Sequence, residues 1–156
     1  MALIHERLYK SDDFKSINFG EYITNLADIL YNTYVSDKNR IKLDLQMENI
    51  EDLKVDINNA IPLGLIVNEL LSNAMKHAFP NYMQGRIMVD FYKDDDQFEL
   101  VVSDDGIGFP QELNYKNTES LGLQVVNTLT NQIGGKITMD VDKGTTFTIK
   151  FKEDFD

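Results

Sequence analysis

The sequence predicts an α+β fold, a two-layer sandwich in which helices lie on one face of a mixed, mostly antiparallel sheet. Three segments space their apolar residues three or four positions apart, which is typical of helices with one buried side. Six shorter segments alternate apolar and polar residues, and most follow one another in pairs joined by turn residues. The predicted order is helix, two strands, helix, two strands, loop, helix, two strands.

The first part of the chain is predicted to form a helix followed by two strands. Apolar residues with helical spacing predict the helix from Phe19 to Val35. Strict alternation predicts a strand over residues 41–47 and a second, shorter strand over residues 53–57.

The second predicted helix has clear signals at both ends. Asn58 or Asn59 is expected to cap its amino end, and Pro62 is expected in its first turn, where a missing N–H group is tolerated. The helix is expected to reach about Ala78 and to stop before Pro80, because proline disfavours helical backbone in the residue before it.

The acidic triplet Asp94-Asp95-Asp96 joins the next two predicted strands. We interpret it as a solvated hairpin turn, with a metal-binding loop as the alternative. The elements of this second half are predicted in the order strand 85–93, strand 97–104, Gly-rich polar segment 105–120, helix 121–133 ended by Gly134-Gly135, strand 136–141, and strand 144–152 after the turn Asp142-Lys143-Gly144.

Composition excludes several classes of function. The net charge is −11, from 15 basic and 26 acidic residues, so neither nucleic acid nor direct membrane contact is expected. The absence of cysteine excludes disulfides, thiolate zinc sites and cysteine nucleophiles, and two histidines are too few for a multi-histidine metal centre. No apolar run reaches about 18 residues, and the amino-terminal residues do not resemble a signal peptide. An anionic ligand must therefore be held mainly by backbone dipoles or a metal ion.

One face of the second predicted helix carries a group of polar side chains. They are Glu69, Ser72, Asn73, Lys76 and His77, although Leu65 and Ile66 are predicted on the same arc. Glu69 and Asn73 are four residues apart and project side by side, which offers oxygen ligands to Mg²⁺. The alternative is an ordinary solvated helix face.

Two apolar rows of the predicted sheet each end in a small polar residue. Asp104 is in phase with the apolar row of strand 97–104, and Thr145 opens the apolar row of the last strand. Because a buried carboxylate costs several kcal/mol unless it is satisfied, the pair indicates the mouth of a ligand pocket. The alternative is that Asp104 only caps the following turn.

Glycines mark two further candidate positions. Gly106 and Gly108 allow a tight backbone path close to a ligand, although a single Gly-x-Gly pattern is weak evidence. Gly122 lies in Leu121-Gly122-Leu123, which leads into the third helix. A glycine at a helix amino end exposes N–H groups that suit a phosphate, whereas close helix packing is the alternative.

Together these features resemble the motifs of sensor histidine kinases. Asn68-Glu69-Leu70-Leu71-Ser72-Asn73-Ala74-Met75-Lys76-His77 resembles their N box, and Asp104-Asp105-Gly106-Ile107-Gly108 resembles their G1 box. Leu121-Gly122-Leu123 resembles the G2 box, and Gly144-Thr145-Thr146-Phe147 resembles the closing strand. The resemblance, over about residues 40–152, is to the ATP-binding catalytic domain, which shares the Bergerat-type fold with gyrase, the Hsp90 chaperones and MutL. It implies ATP and Mg²⁺ as ligands.

The resemblance implies roles at the phosphate end of the nucleotide. Asn73 would ligate the Mg²⁺ that bridges the phosphates, with Glu69 as a second metal-side residue and the candidate catalytic group. Lys76 and His77 would approach the phosphates or the ribose. Gly122, flanked by Leu121 and Leu123, would contribute backbone amides to the phosphates.

The resemblance also implies roles at the base end. Asp104 would accept a hydrogen bond from the adenine amino group, and Thr145 would support the base beside it. Gly106 and Gly108 would let the backbone of the lid segment pass close to the nucleotide.

Two departures from the common pattern leave alternatives open. Glu69 stands where many histidine kinases carry Asn, and hydrolytic ATPases of the superfamily carry Glu there as a base for water. An ATP-hydrolysing switch and a serine kinase of the anti-sigma type are therefore alternatives, and a module that only senses nucleotide is a third. The segment 109–120 is short and lacks the aromatic F box, and Ser120 replaces the first G2 glycine, which resembles a short-lid group of kinases.

The phosphoacceptor histidine is expected on a separate domain. His5-Glu6 resembles a phosphoacceptor pair, but no long amphipathic helix flanks it and no proline follows. Residues 1–17 instead resemble the end of a dimerisation helix and a linker, and residues 18–156 the catalytic domain. The expected partners are the chain's own dimerisation domain and, indirectly, a response regulator. The expected location is cytoplasmic, in a membrane-anchored or soluble parent.

Overall fold

The structure, a computed structural model, describes residues 16–47, 53–108 and 121–152 of the chain. Within these ranges the chain forms three helices and seven strands. The helices are α1 (Phe19–Tyr34), α2 (Ile57–His77) and α3 (Leu121–Gln132). The strands are β1 (Ser16–Asn18), β2 (Ile41–Met47), β3 (Lys54–Asp56), β4 (Gly85–Asp94), β5 (Gln97–Asp104), β6 (Lys136–Asp140) and β7 (Thr145–Lys152).

The main sheet of the described residues has five strands in the order β2-β4-β5-β7-β6. β2 runs parallel to β4, and every other neighbouring pair is antiparallel. The predicted α+β class, with a mixed and mostly antiparallel sheet, is confirmed.

A second, two-stranded sheet pairs β1 with β3, and Ser16 lies opposite Asp56. The strand predicted near residues 53–57 therefore belongs to this small sheet. β1 was not predicted, because three residues are too few to show alternation. The expected domain boundary between residues 17 and 18 falls inside β1 and stays a prediction.

The core lies between the main sheet and the helices. Phe91, Phe98 and Phe151 come from three adjacent strands, and the rings of Phe98 and Phe151 stack with centroids 5.2 Å apart. All three are at most 1% exposed. Burying such side chains is the main source of stability in a domain of this size, and it fixes the helices on one face of the sheet.

The amino end of α2 differs from the prediction. Its cap is Asp56, whose Oδ1 accepts a hydrogen bond from the backbone N–H of Asn58 at 2.7 Å. Neither Asn58 nor Asn59 is the cap, because β3 ends at Asp56 and the helix begins at once with Ile57. Pro62 consequently lies beyond the first turn, inside the helix.

The apolar side of α2 is predicted well, with one exception. Leu63, Val67 and Leu71 are fully buried, as the spacing predicts. Ile66, predicted on the polar arc, is also fully buried, whereas Leu65 beside it is 53% exposed. α2 contacts both α1 and α3, so its buried surface is wider than a single stripe.

The turns between strands adopt left-handed backbone conformations. Asp95 has φ +62° in the hairpin between β4 and β5, which confirms the acidic triplet as a hairpin turn. Gly134, two residues after the end of α3, has φ +68°, as expected for a residue that ends a helix. No helix of the described residues is long and apolar enough to cross a bilayer.

Candidate functional site

Asp104 ends β5 on the side of the sheet that faces the helices. In the register of the sheet it lies opposite Ile87 of β4 and Thr145 of β7. Ile87 is fully buried and Thr145 is 7% exposed, while Asp104 is partly buried. Strand pairing thus brings together the two polar residues at the ends of the apolar rows.

The Asp104 carboxylate is held by backbone groups. Its Oδ1 accepts from the N–H of Gly106 at 2.9 Å, and the backbone of Thr145 also hydrogen-bonds to the carboxylate. Burial raises the pKa of Asp104, and the nearby charge of Asp105 adds to the rise, which outweighs the lowering by the two backbone hydrogen bonds. Asp104 therefore does cap the following turn, but it is also a carboxylate whose charged form is disfavoured.

Two glycines allow the backbone to close around Asp104. A Cβ at Gly106 would collide with the carbonyl oxygen of Ala78, and the neighbouring Ile107 donates its N–H to that oxygen at 3.0 Å. A Cβ at Gly144 would collide with the carbonyl oxygen of Asp104, and Gly144 has φ +117°. The loop after β5 is therefore packed between the end of α2 and the turn before β7.

Asp105, the residue after Asp104, has a different environment. Asp105 is exposed, and its Oδ1 accepts from the backbone N–H of Arg86 at 2.7 Å. Its own N–H donates to the carbonyl oxygen of Arg86 at 3.2 Å. Asp105 thus fixes the loop to the start of β4, and Asp104 is the carboxylate that faces the helices.

Glu69 and Asn73 lie on α2 where α3 begins. Both are partly buried, and Ser72 between them is 5% exposed and donates its hydroxyl to the Glu69 carbonyl at 3.3 Å. A Cβ at Gly122 would collide with Oε1 of Glu69 and lie 2.5 Å from its Cδ. The Glu69 carboxylate therefore rests against the first turn of α3. Close helix packing, one of the two roles predicted for Gly122, is observed at this position.

Lys76 and His77 are exposed in the last turn of α2. The Lys76 ammonium lies 4.7 Å from the ring centroid of Tyr34, the last residue of α1. Leu123 is 5% exposed and packs in the core. The side chain of Leu121 lies outside what the structure describes.

The charges of the site suit a divalent cation held with phosphates. Among the described residues neither Glu69 nor Asp104 forms an ion pair, and no group of three acidic or histidine side chains converges. An all-protein Mg²⁺ cage is thus absent from this part of the chain. Mg²⁺ usually takes only one or two protein ligands beside phosphates and water, and the amide of Asn73 with the carboxylate of Glu69 fits that pattern.

Some predicted positions cannot be placed. His5, Ser120 and the lid segment 109–120 lie outside the described residues. The sequence reasoning missed the role of Ala78, whose carbonyl oxygen anchors Ile107. It also gave Gly144 no function of its own, although its position in a turn directly before Thr145 was a usable signal.

Comparison with known proteins assigns the family. The family described as histidine kinase-, DNA gyrase B- and HSP90-like ATPase matches residues 58–154, and a second family, described as histidine kinase, matches residues 1–34. The chain belongs to the histidine kinase-, DNA gyrase B- and HSP90-like ATPase family. The resemblance found in the four motifs is thereby confirmed, and the chain is a histidine kinase-type ATPase domain.

Individual relatives point the same way. Sensor histidine kinase PdtaS of Mycobacterium tuberculosis is 31% identical over 142 residues, 89% of this chain and 27% of that protein. Blue-light-activated histidine kinase 2 of Erythrobacter litoralis is 29% identical over 136 residues, 86% of this chain and 37% of that protein. The chain therefore spans about a quarter to a third of these relatives.

Solved structures agree with the fold. The blue-light activated histidine kinase EL346 of Erythrobacter litoralis superposes with a TM-score of 0.79 at 26% identity, over 86% of this chain and 42% of that one. The catalytic domain of histidine kinase ThkA superposes with a TM-score of 0.73 at 22% identity, over 88% of this chain and 95% of that one.

Proposed function

We propose that this chain is the ATP-binding kinase domain of a two-component sensor histidine kinase. It binds Mg-ATP and presents the γ-phosphate to a histidine on a separate dimerisation domain. The observation that carries the proposal is Asp104, a partly buried carboxylate with a raised pKa and no ion-pair partner among the described residues. A hydrogen-bond donor on a bound base would compensate that carboxylate.

At the base end, Asp104 accepts a hydrogen bond from the adenine amino group. Its backbone partners Gly106 and Thr145 fix the direction of the carboxylate, so the acceptor is already oriented before the base arrives. Thr145 supports the base from the adjacent strand. Gly106 and Gly108 allow the chain to leave this site toward the lid segment without side chains in the way.

At the phosphate end, Asn73 and Glu69 would hold the metal and Gly122 would offer backbone N–H groups. Bound Mg²⁺ would supply charge neutralisation between the phosphates. Lys76 and His77, at the carboxyl end of the same helix, approach the phosphates or the ribose. Since the chain carries a net charge of −11, helix dipoles and the metal are needed to hold a polyphosphate.

Transfer then depends on positioning more than on covalent chemistry by the protein. A ring nitrogen of the incoming histidine bonds to the γ-phosphorus while the bond from that phosphorus to the β–γ bridging oxygen breaks, and ADP leaves. Glu69 would orient either a water molecule or the incoming imidazole. The partners are the chain's own dimerisation domain and, indirectly, a response regulator, in the cytoplasm.

A titration of the chain with Mg-ATP and Mg-ADP tests binding. We expect saturable binding of both, slow hydrolysis, and no phosphorylation of the chain itself, because the phosphoacceptor lies on another domain. Adding that domain of the parent protein should yield acid-labile phosphohistidine. Flat titrations would contradict the proposal, and steady radiolabel on His5 would contradict the separate phosphoacceptor.

The identity of residue 69 favours one alternative, an ATP-hydrolysing switch with Glu69 as the general base for water. This alternative predicts measurable turnover to ADP that is abolished in Glu69→Gln, without any acid-labile phosphoprotein. A serine kinase of the anti-sigma type would instead yield acid-stable phosphoserine on its substrate. The chemical stability of the phosphoprotein therefore separates the three functions.

A further inference from the structure

The contact between Glu69 and Gly122 joins two motifs that are far apart in the sequence. Gly122 is the second residue of α3, and the Glu69 carboxylate occupies the space that a side chain at position 122 would need. Even a methyl group would collide with Oε1. A side chain at position 122 therefore requires the Glu69 carboxylate, the flexible end of that side chain, to move away.

The electrostatic surroundings explain why a carboxylate rests there. In the first turn of a helix the backbone N–H groups lack intrahelical acceptors, and this end of the helix dipole is positive. Among the described residues Glu69 has no ion-pair partner. The positive end of the helix dipole would favour a negative charge at this place.

We propose that Glu69 is a positioning residue that holds the amino end of α3 in the nucleotide-free chain and that a nucleotide phosphate must displace. This inference rests on the proposed function and deepens it, since the same end of α3 is where Gly122 offers amides to the phosphates. Displacement frees the carboxylate to turn toward the metal or the incoming histidine. Binding of the phosphate and displacement of the Glu69 carboxylate are therefore coupled.

Nucleotide binding without a metal tests whether the Glu69 carboxylate and a phosphate compete for the amino end of α3. Without a metal, a role of Glu69 as metal ligand has no effect on the result. ADP and adenosine are titrated in EDTA into the unchanged chain and into Glu69→Gln, which keeps the shape and removes the charge. We expect ADP to bind about threefold to tenfold more tightly to Glu69→Gln, and adenosine to bind equally to both. If Glu69 only packed against α3, Glu69→Gln would change the affinities for ADP and for adenosine equally.

Glu99→Gln is the matched control. Glu99 alternates in β5 with the buried Phe98 and Leu100, so it lies on the opposite face of the sheet, 3.7 Å from the Lys150 ammonium. The substitution Glu99→Gln removes the same unit of charge as Glu69→Gln and should leave the affinity for ADP unchanged. If Glu99→Gln tightened ADP binding as much as Glu69→Gln, the effect would be one of net charge and the inference would fail.

A stability cycle tests the contact itself. Gly122→Ala should lower the unfolding midpoint in the unchanged chain, because the new methyl group forces the Glu69 carboxylate away from the first turn of α3 and ends the interaction that we propose. In a Glu69→Ala background the same change should be neutral or stabilising, since the space is free and alanine is the better helix former. Equal losses in both backgrounds would overturn the inference.

The outcomes separate the inference from the proposed function. If the unchanged chain binds ADP and Glu69→Gln binds it no more tightly, the inference fails and nucleotide binding stands. If the unchanged chain binds neither ADP nor Mg-ATP, the proposed function fails and the competition fails with it. Tighter binding of ADP alone, together with rescue of Gly122→Ala, supports the inference.

Discussion

The two ends of the proposed nucleotide site are built in different ways. At the base end, strand register and backbone hydrogen bonds hold Asp104 between Gly106 and Thr145. At the phosphate end, one side chain, that of Glu69, meets the first turn of a neighbouring helix at Gly122. Altering the backbone of the base end should therefore cost more stability than altering the phosphate end.

The largest expected effect is on stability, at Gly106 of the base end. Gly106→Ala should lower the free energy of unfolding by about 3 kcal/mol, because the new Cβ collides with the carbonyl oxygen of Ala78. The neighbouring hydrogen bond from Ile107 to that carbonyl would also be disturbed. Urea denaturation of the nucleotide-free chain measures the change.

Gly64→Ala is the matched control for this substitution. A Cβ at Gly64 would lie 3.0 Å from ring atoms of Tyr22, a side chain that is 42% exposed and stacks on the Phe19 ring, so only a small shift of that ring is needed. Alanine also gains about 1 kcal/mol over glycine inside a helix, so the net change should stay within about 1 kcal/mol. Equal losses at both positions would show that the backbone at Gly106 is no more constrained than the backbone at Gly64 in α2.

The next effect concerns affinity at the same end. Asp104→Asn should weaken ATP binding about tenfold to a hundredfold, because it replaces a charged acceptor for the adenine amino group by a neutral amide. Calorimetric titration measures it. Asp105→Asn is the control, since Asp105 is exposed and bonds to the backbone of Arg86, and it should change ATP affinity less than about threefold. Comparable losses of ATP affinity in the two variants would show that Asp104 does not bind the adenine.

Burial of Asp104 also predicts a pH dependence of stability. Because burial raises its pKa, the folded chain holds this proton more tightly than the unfolded chain does. The free energy of unfolding contributed by this group therefore falls as pH rises from the unfolded pKa through the higher folded pKa. Thermal unfolding from about pH 4 to 7 should show Asp104→Asn gaining stability relative to the unchanged chain as pH rises. A constant difference would mean that folding does not shift the pKa of Asp104, and the opposite trend would mean that folding lowers it; either result would contradict the prediction.

The base end could be predicted from sequence because its determinants are local. Alternation alone placed Asp104 and Thr145 at the ends of apolar rows, and the structure pairs them across adjacent strands. Their functional roles stay predictions, since strand pairing says nothing of a ligand. The close approach of Gly144 to the Asp104 carbonyl depends on how two strands meet, and the sequence showed Gly144 only as a turn residue and as part of the closing-strand motif.

The phosphate end was harder to predict because its contacts join distant segments. The pattern left Gly122 open between phosphate binding and close packing, and it gave no sign that Glu69 is the packing partner. The parallel pairing of β2 with β4 and the small β1–β3 sheet are non-local in the same sense. Local spacing fixes which side of a helix is apolar, but not which neighbour it meets.

The smallest expected effect lies at the phosphate end, where Tyr34 holds the Lys76 ammonium 4.7 Å from its ring centroid. Tyr34→Leu removes the ring, so Lys76 becomes freer and pays more entropy when it meets a phosphate. An exposed cation–π contact contributes about 0.5–1 kcal/mol, so ATP binding should weaken about twofold to fivefold while adenosine binding stays the same. Titrations with both ligands measure this, and Tyr34→Phe, which keeps the ring, should match the unchanged chain. Tighter ATP binding in Tyr34→Leu would mean that Tyr34 withholds Lys76 from the phosphates, and the phosphate end would then resist its ligand at two side chains, Lys76 as well as Glu69.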